Sequence, residues 1–156
     1  KIWDAATGTL QQTLEGHSES VTSIAFSADS KLLASGSDGC TIKIWDAATG
    51  TLQQTLEGHS SWVISIAFSA DSKLLASGSR DCTIKIWDAA TGTLQQTLEG
   101  HSGARNLSFD ITNSILTTDI GCFRLNIKNN IPLPSSSRAI NSRSHRQGLS
   151  ITSPVV

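Results

Sequence analysis

Residues 58–88 read GHSSWVISIAFSADSKLLASGSRDCTIKIWD, and they decide how the rest of the chain is read. Residues 16–46, GHSESVTSIAFSADSKLLASGSDGCTIKIWD, lie 42 positions earlier and match them almost letter for letter. A fixed internal period marks a protein built from stacked copies of one supersecondary unit, none of which buries its own apolar faces alone. Within the unit, residues 63–68 are rich in β-branched and aromatic side chains, and residues 73–77 and 83–87 continue that pattern between turn signals. Residues 93–98 alternate apolar with polar, as a half-exposed outer strand does. Turns are expected at Ser69-Ala70-Asp71-Ser72, at Arg80-Asp81 and over residues 88–92. The reading is all-β, with four short antiparallel strands per unit.

Residues 1–16 supply only the last two strands of a unit, and residues 17–58 and 59–100 are complete units. Residues 101–127 form a degenerate third, with strands expected at 107–109, 114–118 and 122–127, Ile127 standing where Trp87 would and no Trp-Asp after it. From residue 128 to 156 the composition turns to Asn, Ser, Pro and Arg with no acidic residue, and Lys128, Arg138, Arg143 and Arg146 make the tail basic. That tail is expected to be disordered. A basic docking or phosphorylation segment around Ser142-Arg143-Ser144-His145-Arg146 is the alternative. The chain contains no methionine and opens inside a unit, so it reads as a piece of a longer protein.

A formal charge of -1 and 38% hydrophobic residues give no basic surface that would call for nucleic acid. No apolar run approaches the ~20 residues of a membrane-spanning helix, and no signal peptide is visible, so a cytoplasmic setting is expected. Cys40, Cys82 and Cys122 recur with the units, and their spacing fits neither a disulfide framework nor a zinc site. They are read as reduced structural thiols, with no metal or other cofactor implied.

The period, the Gly-His opening and the Trp-Asp close resemble the WD-repeat family, whose units form the blades of a β-propeller. The resemblance implies four-stranded blades and a ring of roughly four to eight of them. About three are present here, so one such chain forms an open, incomplete propeller. It also implies a buried hydrogen-bond chain in each full blade, Asp to His to Ser to Trp. The matching residues are His59, Ser77, Asp81 and Trp87 in one blade and His17, Ser35, Asp38 and Trp45 in the other. A Ser, a His and an Asp also compose a hydrolase triad, but the set recurs and Ser77 lies in Ala76-Ser77-Gly78-Ser79 rather than a Gly-x-Ser-x-Gly elbow. The structural reading is preferred and no residue is assigned to catalysis. The first blade departs from the pattern, with Gly39 at the position of Asp81 and Asp38 opposite Arg80. Either Asp38 reaches His17 through an altered turn, or His17 loses its anchor and this blade is the looser one.

Residues 1–42 and 43–84 differ at only five positions: Glu19 against Ser61, Ser20 against Trp62, Thr22 against Ile64, Asp38 against Arg80, and Gly39 against Asp81. Antiparallel strands in succession send alternate turns to opposite ends of the sheet, which puts all five pairs on one edge. These residues are the candidates for binding a protein partner, with Trp62 foremost as an exposed aromatic anchor.

Near-identical units built on KIWDAATGTLQQTLEGHS, followed by the segments at residues 107–110 and 117–121, are similar to the C-terminal propellers of fungal NACHT and WD-repeat proteins, which are signal-transducing receptors. That resemblance implies a non-catalytic, ligand-sensing interaction module. No P-loop is present, so no nucleotide chemistry falls to this chain. A general intracellular scaffold or adaptor is the alternative, and the hydrolase a third. The exposed blade faces of such a fragment are expected to favour self-association, with residues 1–16 of one copy lying against the terminal blade of another.

Overall fold

The structure is a computed structural model, and it describes residues 1–101 and 103–126. The expected tail, residues 128–156, and Ile127 lie outside the described residues. Among the described residues, thirteen strands form four separate antiparallel sheets. β1 (Ile2–Trp3) and β2 (Leu10–Gln12) pair with each other. The first blade comprises β3 (Val21–Phe26), β4 (Leu32–Ser37), β5 (Ile42–Asp46) and β6 (Leu52–Leu56), in that order across the sheet. The second repeats it with β7 (Val63–Phe68), β8 (Leu74–Ser79), β9 (Thr83–Asp88) and β10 (Leu94–Glu99). The third has, among the described residues, the strands β11 (Ser108–Phe109), β12 (Ile115–Thr118) and β13 (Gly121–Arg124).

The turns form where local side chains can satisfy the backbone. Asp88 accepts the N–H groups of Ala90 and Thr91 at 3.0 and 2.8 Å and the Thr91 hydroxyl at 2.9 Å, which closes the loop before the outer strand. Ser69 donates to Asp71 at 2.7 Å and accepts the Leu74 N–H at 2.9 Å, holding the turn between the first two strands. Both turns recur in the first blade, at Asp46 and at Ser27.

No blade has a core of its own. One apolar cluster joins Ala34, Ile42, Ile44 and Leu56 of the first blade to Val63, Ile66, Leu75 and Trp87 of the second. Another joins Ala76, Ile84 and Ile86 of the second to Ala104, Leu107, Leu116 and Leu125 of the third. Face-to-face stacking is thus the main source of stability, as the repeat pattern requires. Close approach depends on small residues: a Cβ on Gly78 would lie 2.5 Å from the Ala104 carbonyl oxygen. Polar links reinforce the stacking at the outer strands, where Gln54 donates to Ala90 O at 2.5 Å across the gap between blades. Gln12 donates to Ala48 O at 2.7 Å in the same way, so the β1–β2 pair sits against the first blade of its own chain. The pair leaves the outer face of the first blade bare, with Ile24 62% exposed where its counterpart Ile66 is 6% exposed.

Two local expectations are corrected by the third blade. β12 and β13 are joined by a much shorter hairpin than β8 and β9, and Leu116 pairs with Phe123 as Leu75 pairs with Trp87. Phe123 therefore takes the Trp87 position, ahead of the predicted Ile127. The same shortening places Cys122 inside β13, opposite Thr117. Cys40 and Cys82 instead occupy a turn position with φ of 63° and 66°, so Cys122 is not their structural equivalent.

Candidate functional site

In the second blade the polar chain begins at Asp81. Its carboxylate accepts from His59 Nδ1 at 2.8 Å, from the Ser60 N–H at 3.0 Å, and from the Thr83 N–H and hydroxyl at 2.9 and 2.7 Å. A carboxylate can only accept, so Nδ1 carries the imidazole proton and Nε2 is left as the acceptor for the Ser77 hydroxyl, 2.8 Å away. Ser77 Oγ in turn accepts the Trp87 indole N–H at 2.8 Å. The His59 and Trp87 rings meet edge to face. Gly58 enters this arrangement at φ 144°, where a Cβ would lie 3.4 Å from the Trp87 ring. The proton order matches that of a hydrolase triad, but Ser77 is fully buried and its oxygen is already an acceptor, so no substrate carbonyl reaches it.

Burial holds His59 below the ordinary histidine pKa of 6.5, against the raising effect of the Asp81 hydrogen bond and charge. Burial would raise the Asp81 pKa, but the hydrogen bonds from Thr83, His59 and Ser60 outweigh it and lower the carboxyl from 3.8 to about 2. At neutral pH the pair is thus a neutral imidazole donating to a carboxylate. Both folded pKa values lie below their unfolded ones, so the unfolded chain takes up protons first as the pH falls. Melting temperature is therefore expected to fall in two stages on acidification, first as the pH drops below 6.5 and again between 3.8 and about 2. A profile flat from pH 7 to 5 in thermal melts would contradict the buried neutral His59.

The first blade carries an incomplete chain. His17 Nε2 lies 2.7 Å from Ser35 Oγ, which accepts the Trp45 N–H at 2.9 Å. His17 Nδ1 and Asp38 Oδ1 are both buried without a partner among the described residues. Asp38 therefore does not belong to the hydrogen-bond set expected for this blade. The reason is positional: the Asp38 N–H donates to Ser20 O, as the Arg80 N–H donates to Trp62 O, so Asp38 sits where Arg80 does, one residue ahead of the anchoring position. Gly39 holds the anchoring position, and a Cβ there would meet Glu19 Cγ at 3.4 Å, an ordinary contact. Gly39→Asp is expected to supply the missing acceptor and stabilise the chain by about 1–2 kcal/mol. Because Glu19 would face the new carboxylate, pairing the change with Glu19→Ser should raise the melting temperature further. An unchanged or lowered melting temperature in both variants would count against the anchor.

In the third blade the anchor is gone altogether. His101 packs against Phe123 with ring centroids 4.3 Å apart, and Asp119 accepts the Arg105 N–H at 2.7 Å instead of binding a histidine.

The positions at which the two full units differ gather on one edge. Thr22 and Asp38 of the first blade, Trp62, Ile64 and Arg80 of the second, and Arg105 of the third line a cleft of about 310 Å³. The Arg80 guanidinium stacks on the Trp62 ring, 4.5 Å from its centroid, and Trp62 remains 43% exposed. Glu19 and Ser20 are exposed beside the cleft, and Ser61 is half-buried with its carbonyl accepting from Ser79. Thr22 donates to the Val63 and Gly36 carbonyls, a link between blades that Ile64 cannot make. Asp81 is withdrawn from the candidate binding set, since its side chain is 7% exposed and fully engaged with His59, Ser60 and Thr83. Gly39 has no side chain to offer. Arg105 is the lining residue that the repeat comparison missed, because the third unit is too diverged to be aligned position by position.

Residues 8–46 and 50–88, half of the chain, match the family described as WD domain, G-beta repeat. The chain belongs to the WD-repeat family. Each matched span runs from the outer strand of one sheet through the third strand of the next, so the WD sequence repeat straddles two blades. The Asp81 to Trp87 chain is thus the internal lock of a WD blade, and modules of this family generally serve as non-catalytic scaffolds that bind proteins. The chain is similar to the solved "Structure of U3-55K" with a TM-score of 0.66 and 31% identity, covering 69% of this chain and 35% of that one. The "Crystal structure of RRP9 WD40 repeats" gives the same TM-score and identity, covering 69% and 34%. Among curated proteins, the vegetative incompatibility protein HET-E-1 of Podospora anserina is 61% identical over 41 residues, which are 26% of this chain and 3% of that protein. The WD chain thus spans about a third of the solved structures and a small part of the curated relative.

Proposed function

We propose that the chain is a non-catalytic protein-interaction module, part of the ligand-sensing propeller of a cytoplasmic, NACHT-type signal-transducing receptor, and that it contacts its partner through the variable edge. The observation that carries this reading is the gathering of Thr22, Asp38, Trp62, Ile64 and Arg80 around one cleft, on blades that are otherwise near-identical. The turns of the opposite edge, at Ser27 and Ser69 and at Asp46 and Asp88, keep the same residues and the same hydrogen bonds. Side chains that swing from Ser to Trp and from Asp to Arg on one edge of a constant scaffold fit a surface whose contacts differ from blade to blade. The short, high-identity match to HET-E-1 supports the receptor setting, and sequencing the complete transcript for an upstream nucleotide-binding domain separates it from a general scaffold.

The test of the edge is a two-hybrid screen with the full chain, repeated with Trp62→Ala, Arg80→Ala and, as a control on the exposed outer strand, Gln95→Ala. Partners lost with the first two and kept with the third support the reading. Partners indifferent to both edge changes would sink it. The bare face around Ile24 and Phe26 supports self-association of the isolated chain. Light scattering after size exclusion should then give a mass that rises with concentration, and a constant monomer mass would contradict it.

A further inference from the structure

The cleft on the variable edge holds three charged side chains that do not neutralise one another. Asp38 comes from the first blade, Arg80 from the second and Arg105 from the third, and none of the three forms an ion pair among the described residues. Asp38 Oδ1 is buried without a hydrogen-bond partner. A carboxylate oxygen removed from water and left unmatched is costly, and a partner supplying a donor would recover that cost. Arg80 is fixed by its stack on Trp62, which orients the guanidinium while leaving its N–H fork free for a carboxylate. Asp119, which lies across the third blade from Arg105, already accepts the Arg105 backbone N–H, and Asp81, next to Arg80, is engaged with His59, Ser60 and Thr83. Glu19, beside Gly39, adds a second acid on the Asp38 side.

Resting on the interaction edge proposed above, we infer that the cleft takes an extended segment of a protein partner carrying both signs of charge: an aspartate or glutamate against Arg80 and Arg105, an apolar side chain on Trp62 and Ile64, and a lysine or arginine against Asp38. The acids at Asp38 and Glu19 repel a phosphate backbone, which argues against nucleic acid. An all-acidic or all-basic segment would leave charges of one sign in the cleft unmatched. The edge also continues past the cleft through Ser20 and Ser61, which gives an extended segment more to bind than a free zwitterion would find.

The experiment is selection of a displayed random dodecapeptide library on the full 156-residue chain. It is followed by titration of the enriched synthetic peptides against the wild type, Trp62→Ala, Arg80→Glu with Arg105→Glu, and Asp38→Lys, each shown by thermal melting to be folded. The expected peptides carry an acidic and a basic residue on either side of an apolar one, and lose about tenfold or more in affinity against each charge reversal. A peptide with its two charges exchanged should regain binding to the chain carrying all three reversals. Peptides weakened by Trp62→Ala but indifferent to the charge reversals would overturn this inference and leave the edge as an interaction surface. Peptides indifferent to all these changes, or no enrichment, would overturn both. Displacement by millimolar free arginine or glutamate would overturn the choice of a protein segment.

Discussion

Replacing Asp81 with alanine lowers the stability of the chain by about 3 kcal/mol, while replacing Asp38 with alanine changes it by less than about 0.5 kcal/mol. The two aspartates lie at neighbouring positions of equivalent turns, and propensity alone would not separate them. What separates them is the partner list. Asp81 accepts four hydrogen bonds, from His59, the Ser60 backbone, the Thr83 backbone and the Thr83 hydroxyl. Its removal leaves a buried imidazole N–H and neighbouring donors without acceptors, each costing on the order of 1–3 kcal/mol where water cannot enter. Asp38 has a buried oxygen that satisfies nothing, so its loss removes a cost as well as a charge. Thermal melts of the two variants read this directly, with a drop on the order of 10 °C for Asp81→Ala and little change for Asp38→Ala. Equal effects would mean that the two blades are locked alike.

Trp87→Ala is expected to cost about 3–5 kcal/mol, the scale of deleting a buried aromatic side chain. Trp87 is 2% exposed and belongs to the apolar cluster joining the first blade to the second, so the cavity opens at the junction on which stacking depends. It also deprives Ser77 Oγ of its indole donor. Trp87→Phe separates the two contributions, because it keeps most of the packing and loses only the N–H. The third blade already uses that solution, with Phe123 against His101 and no serine at the equivalent of Ser77, where Thr118 stands. The phenylalanine variant should therefore lose about 1 kcal/mol and the alanine variant several times that. Urea denaturation of both is the check. A phenylalanine variant as unstable as the alanine one would place the energy in the hydrogen bond rather than in the packing.

How far the sequence could be read depended on whether a unit kept its full length. In the second unit the strand over residues 63–68 and the turns at Ser69, Arg80 and Asp88 are all found where pattern and punctuation placed them. In the third unit the hairpin between β12 and β13 lost residues, and every position after it moved: Phe123 rather than residue 127 faces the histidine, and Cys122, in a strand as expected, does not share the turn position of Cys40 and Cys82. Counting along a diverged copy cannot detect where the deletion fell, whereas pairing across the sheet does. Asp38 illustrates a finer limit. A one-residue offset in a tight turn takes the carboxylate out of the anchoring position, and the backbone bond to Ser20, equivalent to that from Arg80 to Trp62, fixes the register. The link from Gln54 to Ala90 O had no signal either, since an alternating outer strand looks the same whether its polar residues meet water or the next blade. The cleft was legible in part. Comparison of the two full units found Thr22, Asp38, Trp62, Ile64 and Arg80, but Arg105 has no near-identical copy to be compared with.

This division of one repeat sets a buried chain that locks the blade apart from a variable edge that we propose meets a partner. Its most direct test is to give the second unit the first unit's edge, with Trp62→Ser, Ile64→Thr and Arg80→Asp in one chain, and to measure melting and binding of the selected peptides side by side. The expected result is a melting temperature within a few degrees of the original and binding lost. A chain that melts far lower, or that binds the same peptides as before, would contradict it.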